Sequence, residues 1–173
     1  MTSDIRTALP VEFERLREIE DAADEMFAQV GIGPFAPTPD HLGAAAIVLV
    51  SGTPPVGFAS VHLIDGAAHL WQLAVHPSAA RQGRGSALVA AVCDWAVSQR
   101  LDGVTLTTFR DVPWNAPFYA RLGFRVLDDP TPGLAAIRAE ERAIGDDDFG
   151  PRVAMRKDLG PLAEAPTEGT RPT

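Results

Sequence analysis

The strongest constraint on the fold is a change of rhythm near residue 76. Before it, apolar runs at 45–50, 56–64 and 68–75 are separated by turn chemistry at 51–55 and at Asp65-Gly66. Short runs joined by tight turns pair as consecutive antiparallel strands, so these three predict a meander. After it, residues 77–85 form a loop rich in small side chains. Residues 84–100 then carry Leu88, Val92, Trp95 and Ala96 at helical spacing, Asp102-Gly103 stops that helix, and 104–109 reads as a strand again. A strand, loop, helix and strand in that order imply a parallel crossover. The meander and the crossover together require a mixed sheet.

The flanks fit around that centre. Residues 4–9 read as a short strand, and Phe13, Leu16, Ile19, Ala23 and Phe27 recur at helical spacing over 10–30 until Gly31-Ile32-Gly33-Pro34 breaks the pattern. Downstream, 116–122 is a short helix ending at Gly123, 124–127 a strand, 134–144 a helix and 152–157 a last strand. The expected class is α/β, with a mixed central sheet of six to seven strands and helices on both faces. Residues 1–158 are read as one domain, and residues 159–173, dense in Pro, Gly, Glu and Thr, as a disordered tail.

Charge and cysteine usage narrow the function classes. With 15 basic against 23 acidic residues the net charge is −8. Phosphate backbones and anionic membranes are bound mainly through Lys and Arg, so neither nucleic acid nor membrane is an expected partner. Cys93 is the one cysteine, which excludes an intrachain disulfide and a Cys-based zinc site. The four histidines show no metal-ligand spacing, and no metal is expected. The longest apolar run, 42–50, is too short to span a bilayer, and the first residues lack the basic and apolar regions of a secretory signal. A cytoplasmic protein is the resulting expectation.

The segment 73–88 runs from a strand through a glycine-containing loop into a helix. Gly83 and Gly85 let the backbone turn tightly and approach a ligand closely. The first-turn amides of the following helix are unpaired and add to its positive end, which suits a diphosphate, and Arg81 and Arg84 add charge. Two glycines before a helix also make a plain turn, and no Gly-Lys-Ser/Thr follows to form a Walker loop.

A second segment, Asn115-Ala116-Pro117-Phe118-Tyr119-Ala120-Arg121-Leu122-Gly123-Phe124, decides between these readings. With His76-Pro77 and the Gly83/Gly85 loop, it resembles the GNAT superfamily of acyl-CoA-dependent N-acetyltransferases over roughly residues 5–157. The family's cofactor loop, Gln/Arg-x-x-Gly-x-Gly/Ala, falls on Ala80-Arg81-Gln82-Gly83-Arg84-Gly85 and departs from the pattern at Ala80. The resemblance implies acetyl-CoA as cosubstrate, with a sheet splayed beside the third meander strand. The backbone of Leu73, Ala74 and Val75 would pair with the pantetheine amides, and backbone amides from Gln82 to Ser86 would hold the pyrophosphate. Arg81 would supply the side-chain contact that Ala80 cannot. Asn115 matches an asparagine that contacts the pantetheine arm, and an N-cap role is equally natural for it. Tyr119 matches the general acid that protonates the departing thiolate; a phenol of pKa about 10 is protonated at neutral pH.

The attacking amine needs a base. An alkyl ammonium of pKa about 10.4 is only about 0.04 % free base at pH 7, a deficit of about 4.6 kcal/mol. Many relatives place a Glu on the third meander strand, and no acid lies between residues 67 and 75 here. His69, Trp71 and Leu73 alternate onto one strand face, which makes His69 the candidate base and Trp71 a wall of the acceptor pocket. His62 and His41 carry no role in this reading, His76 is a turn residue, and Cys93 belongs to the buried stripe of its helix. The acidic runs at Asp128-Asp129, Glu140-Glu141 and Asp146-Asp147-Asp148 are read as solvated surface, or as an attraction for a cationic amine. The expected function is acetyl transfer to a primary amine of a small molecule, by direct attack without an acyl-enzyme. Acetylation of a protein N-terminus or lysine is the alternative within that chemistry, and a non-catalytic acyl-CoA sensor the alternative from another class. A homodimer is an expectation of the family.

Overall fold

A computed structural model describes residues 4–36 and 40–160 of the chain. Strand β1, Ile5–Thr7, leads into a 3-10 turn at Pro10–Glu12 and then into helix α1, Phe13–Ala28. The helix starts where it does because Glu12 reaches back: its carboxylate accepts the Leu9 N–H at 2.9 Å and pairs with Arg6 at 2.7 Å. Leu16 and Ile19, both sealed from solvent, seat α1 on the sheet.

The meander forms as β2 (Ile47–Ser51), β3 (Gly57–Ile64) and β4 (Ala67–Val75), all antiparallel. Asp65 and Gly66 join β3 to β4 with φ of 49° and 77°, the two left-handed residues that a two-residue hairpin turn needs to follow the twist of its strands. Helix α2, Arg84–Ser98, then carries the chain across to β5, Gly103–Phe109, which lies parallel to β4. Helix α3 (Ala116–Arg121), β6 (Arg125–Val126), α4 (Pro132–Ala143) and β7 (Arg152–Asp158) complete the order. The sheet has seven strands in the order β1-β2-β3-β4-β5-β7-β6. The mixed sheet read from the sequence is thus present, at the upper end of the expected strand count.

The two faces carry separate cores. On one, Leu88, Val89, Val92 and Ala96 of α2 and Tyr119 of α3 pack on Ala68, Leu70, Val104, Leu106 and Met155. On the other, Leu16 and Ile19 of α1 pack on Val48, Val50, Phe58 and Ala74. An aromatic group closes that second face at the end of β5, where Phe27 and Phe35 meet Phe109 and Trp114. Leu159, placed in the tail by composition, donates its N–H to the Asp102 carbonyl at 2.8 Å and packs against the first core. The rest of the expected tail, 161–173, lies outside the described residues. No described helix is long and apolar enough to cross a membrane.

Candidate active site

The sheet opens between β4 and β5. Their parallel pairing covers two positions only, Ala68 with Val104 and His69 with Thr105, whereas β5 stays paired with β7 along seven. Beyond His69 the two strands separate. The His76 N–H bonds the Val56 carbonyl at 2.8 Å, so strand alternation turns the N–H and C=O of Val75 and Leu73 away from β3, into the gap. An open inner edge of this kind takes an extended molecule bearing amides, as an added strand would.

At the open end of the gap stands the α2 N-terminus. Arg81 and Gly83 both adopt left-handed backbone, with φ of 58° and 75°. Gly83 serves as N-cap with no side-chain bond, leaving the first-turn amides of Arg84, Gly85 and Ser86 turned outward. A Cβ on Gly85 would meet only Phe118 Cζ, at 3.6 Å, and one on Gly83 would meet nothing within 4 Å. Packing inside the protein therefore leaves room for a Cβ at 85. Arg81 and Gln82 are exposed beside it. Arg84 faces elsewhere, since its guanidinium donates to Ser51 Oγ at 2.8 Å and ties α2 to β2. Its backbone belongs to the cradle and its charge does not.

Helix α3 brings Asn115 and Tyr119 to the same side. Asn115 occupies the N-cap position but makes no side-chain cap bond, so capping does not consume its amide. Tyr119 is 8 % exposed, gripped edge-on by Phe118 at 5.1 Å and Phe124 at 5.7 Å. Its hydroxyl has no hydrogen-bond partner among the described residues. Burial pushes the phenol well above its ordinary value, keeping it protonated throughout the physiological range.

A β-bulge reshapes the other wall. Ser60 pairs with Gln72 and Val61 with Leu70, leaving Trp71 as the extra residue of β4. This corrects the expectation that His69, Trp71 and Leu73 share a face. His69 and Trp71 lie together at 5.9 Å between ring centres, while the bulge turns Leu73 to the opposite side, onto the α2 core. The bulge also sets Trp71 against His62 of β3, at 4.8 Å, and His62 pairs directly with His69 across the strands.

His69 does not offer the base expected of it. It is 2 % exposed, its Nδ1 lies 2.9 Å from Thr105 Oγ1, and burial pushes its pKa down to about 4 against a small opposing pull from Glu141. An imidazole so weakly basic stays neutral and cannot hold a proton taken from an ammonium. His76 accepts the Ser78 N–H on Nδ1 at 3.2 Å, a turn residue as read. Cys93 is buried in the α2 core, and burial raises its thiol pKa.

The acid groups also differ from the sequence reading. Glu141 accepts from Thr107, Arg138 and Arg152 and so pins α4 to β5 and β7, while Asp147 pairs with Arg138 at 2.8 Å and holds the turn after α4 against that helix. A second set of acids gathers along α1, where Glu20 meets His41 at 3.1 Å and Arg17 pairs with Asp40 at 3.2 Å. Glu20, Asp21, Asp24 and Glu25, with Asp40, line a groove of about 730 Å³ floored by Ile32, Phe35 and Leu42, and Arg17 is its one cation. Asp24 is pushed up to about 6, first by burial and then by Glu20 and Asp21. The groove adjoins the aromatic group at the end of β5 through Phe35 and Ile32.

Known proteins share the fold. The fold is similar to N-acetylglutamate synthase from Neisseria gonorrhoeae, solved with coenzyme A and N-acetyl-glutamate: 19 % identity, TM-score 0.67, 92 % of this chain and 36 % of that one. The chain thus spans about a third of that enzyme's length. It is also similar to PaiA N-acetyltransferase from Thermoplasma acidophilum, solved with coenzyme A, at 16 % identity and TM-score 0.64 over 92 % of this chain and all of that one. The ribosomal-protein-S18-alanine N-acetyltransferase of Escherichia coli matches at 18 % identity and TM-score 0.61, over 92 % and 96 % of the two chains. Residues 5–124, most of the chain, match the Acetyltransferase (GNAT) family, and the protein belongs to that family.

Proposed function

We propose that the protein transfers acetyl from acetyl-CoA to a primary amine of a small cationic molecule, by direct attack. The observation that carries this reading is the β4–β5 gap, with unpaired backbone on one wall and the Gly83–Gly85 cradle at its mouth. The thioester of the cosubstrate supplies an activated acyl carbon and a sulfur leaving group. Backbone of Leu73 and Val75 would hold the pantetheine arm with Asn115 beside it, and amides of Gly83, Arg84, Gly85 and Ser86 would hold the pyrophosphate, with Arg81 and Gln82 alongside.

Tyr119 Oη is the proton donor. Because its pKa stands above that of a thiol, about 8.5, it donates a hydrogen bond to developing thiolate charge before its proton moves. The aromatic wall of Trp71 borders the acceptor. The acid-lined groove favours a cation there: five carboxylates against one guanidinium create a negative potential that concentrates ammonium groups.

Two measurements test the reading together. Calorimetry with acetyl-CoA measures binding, and thiol release measures turnover with spermidine, lysine, kanamycin and an alanyl peptide. Turnover fastest with spermidine or kanamycin is the expected result. Preference for the peptide would move the acceptor to a protein N-terminus, and tight binding without turnover of any amine would make the protein an acyl-CoA sensor.

A further inference from the structure

We propose that His62, on β3, takes the proton from the acceptor ammonium and that His41 fixes the tautomer it needs; this rests on the amine-acetylation reading above. His62 Nε2 lies 3.0 Å from the backbone carbonyl oxygen of His41. A carbonyl oxygen only accepts, so Nε2 carries the ring proton and Nδ1 keeps its lone pair. That Nδ1 has no hydrogen-bond partner among the described residues. The ring is half-buried, whereas His69 across the strand is sealed.

Its position follows from the bulge. The side chain of Trp71, the extra residue of β4, lies between His62 at 4.8 Å and His69 at 5.9 Å, just where β4 leaves β5. His62 therefore stands one strand over from the narrow end of the gap, where β4 and β5 begin to part, and its half-buried ring can exchange a proton with solvent.

His41 is held at both ring nitrogens. Its Nε2 meets Glu20 Oε2 at 3.1 Å, and its Nδ1 meets Ser60 Oγ at 3.1 Å, with Ser60 wholly buried. The carboxylate accepts, so Nε2–H donates to Glu20 and Nδ1 accepts from the Ser60 hydroxyl. An anchored ring fixes the backbone that carries it, and with it the carbonyl that orients His62. Glu20 also lines the acidic groove, which places the groove and the histidines on one side of the sheet.

In the step, an N–H bond of the ammonium breaks and its proton moves to His62 Nδ1. The nitrogen lone pair is left free to attack, and the imidazolium returns the proton to solvent. The titratable groups around His62 are His69 on β4, His41 with Glu20 of α1 behind it, and Glu141 of α4 beyond His69. Partial burial lowers the His62 pKa against an opposing pull from the His41 carbonyl, so the ring is neutral and able to accept at neutral pH.

The test uses the full chain with acetyl-CoA and whichever of spermidine, lysine, kanamycin and the alanyl peptide turns over fastest, between about pH 5.5 and 9. His62→Gln is expected to lose at least about tenfold in kcat/KM and to lose the acidic limb of the profile, with CoA affinity retained. His69→Gln keeps that limb. Imidazole added to His62→Ala restores turnover, which a purely structural role would not allow. A His62→Gln profile with its acidic limb intact, or no rescue, overturns the proposal. A protein that binds CoA but acetylates none of the four amines overturns the amine-acetylation reading instead. A second measurement needs no acceptor: long-range ¹⁵N–¹H spectra of the protein with CoA are expected to show His62 protonated on Nε2. Protonation on Nδ1 overturns the assignment on its own.

Discussion

Tyr119 illustrates how its surroundings suit one side chain to the proton transfer proposed for it. Phe118 and Phe124 hold the ring, burial keeps the phenol protonated, and Oη has no partner among the described residues. Tyr119→Phe deletes the proton donor while keeping those ring contacts. Melting temperature and CoA affinity are expected to stay near wild type while single-turnover acetylation slows about 10²–10⁴-fold; an unchanged single-turnover rate would remove Tyr119 from the chemistry. The residue was legible in the sequence because its motif is local, a run ending at Leu122-Gly123-Phe124 after a strand. His62 was not. What distinguishes it from His69 is a difference in burial and the partner of one nitrogen, and that partner, His41, lies 21 residues away along the chain.

Among the elements, β4 departs most from a regular pattern. Strict alternation assigns every second residue to one face, and one inserted residue at Trp71 reverses that for everything after it. Period alone carries no mark of a bulge, because the extra residue shows only against the register of a neighbouring strand. The loop into α2 was readable for the opposite reason: its left-handed turn is written in Gly83 itself. Gly85→Val should leave the fold intact, since a Cβ there meets only the Phe118 ring edge at ordinary contact, and circular dichroism and melting temperature check this. It should also block the bare backbone where a diphosphate approaches. Loss of one charge-assisted amide bond costs about 1.5–3 kcal/mol, so CoA affinity should fall at least about tenfold by calorimetry. Wild-type affinity in a folded Gly85→Val protein would refute the cradle.

At the scale of the molecule, the seven-strand order and the two cores follow the rhythm of the sequence, but the placement of charge does not. The acidic runs near residues 140 and 147 look exposed in one dimension, yet Arg138 and Arg152 occupy Glu141 and Asp147. The carboxylates of α1, spread along a helix and unremarkable in the sequence, gather in the groove instead. That gathering has a stability cost. Asp24 takes up a proton at about pH 6 when folded and near 4 when unfolded, so its ionisation opposes folding above pH 6. The penalty shrinks as pH falls from 6 to 4 and is absent below. Asp24→Asn should therefore stabilise the protein at pH 7 by about 1 kcal/mol once solvent screening is allowed for, a rise of about 2–4 °C in Tm, and should do nothing at pH 3.5. An equal rise at both pH values would point to packing, not charge. The same variant should raise KM for a cationic acceptor.

The gap between β4 and β5 also alters how the sheet meets its surroundings. An ordinary sheet exposes two outer edges to any passing strand, whereas this one has a further pair that face each other across a wedge narrowing to the His69–Thr105 pair. Those inner edges can be reached only along the wedge from its open end, so this unpaired backbone is shielded from the sideways pairing that makes an outer edge a liability.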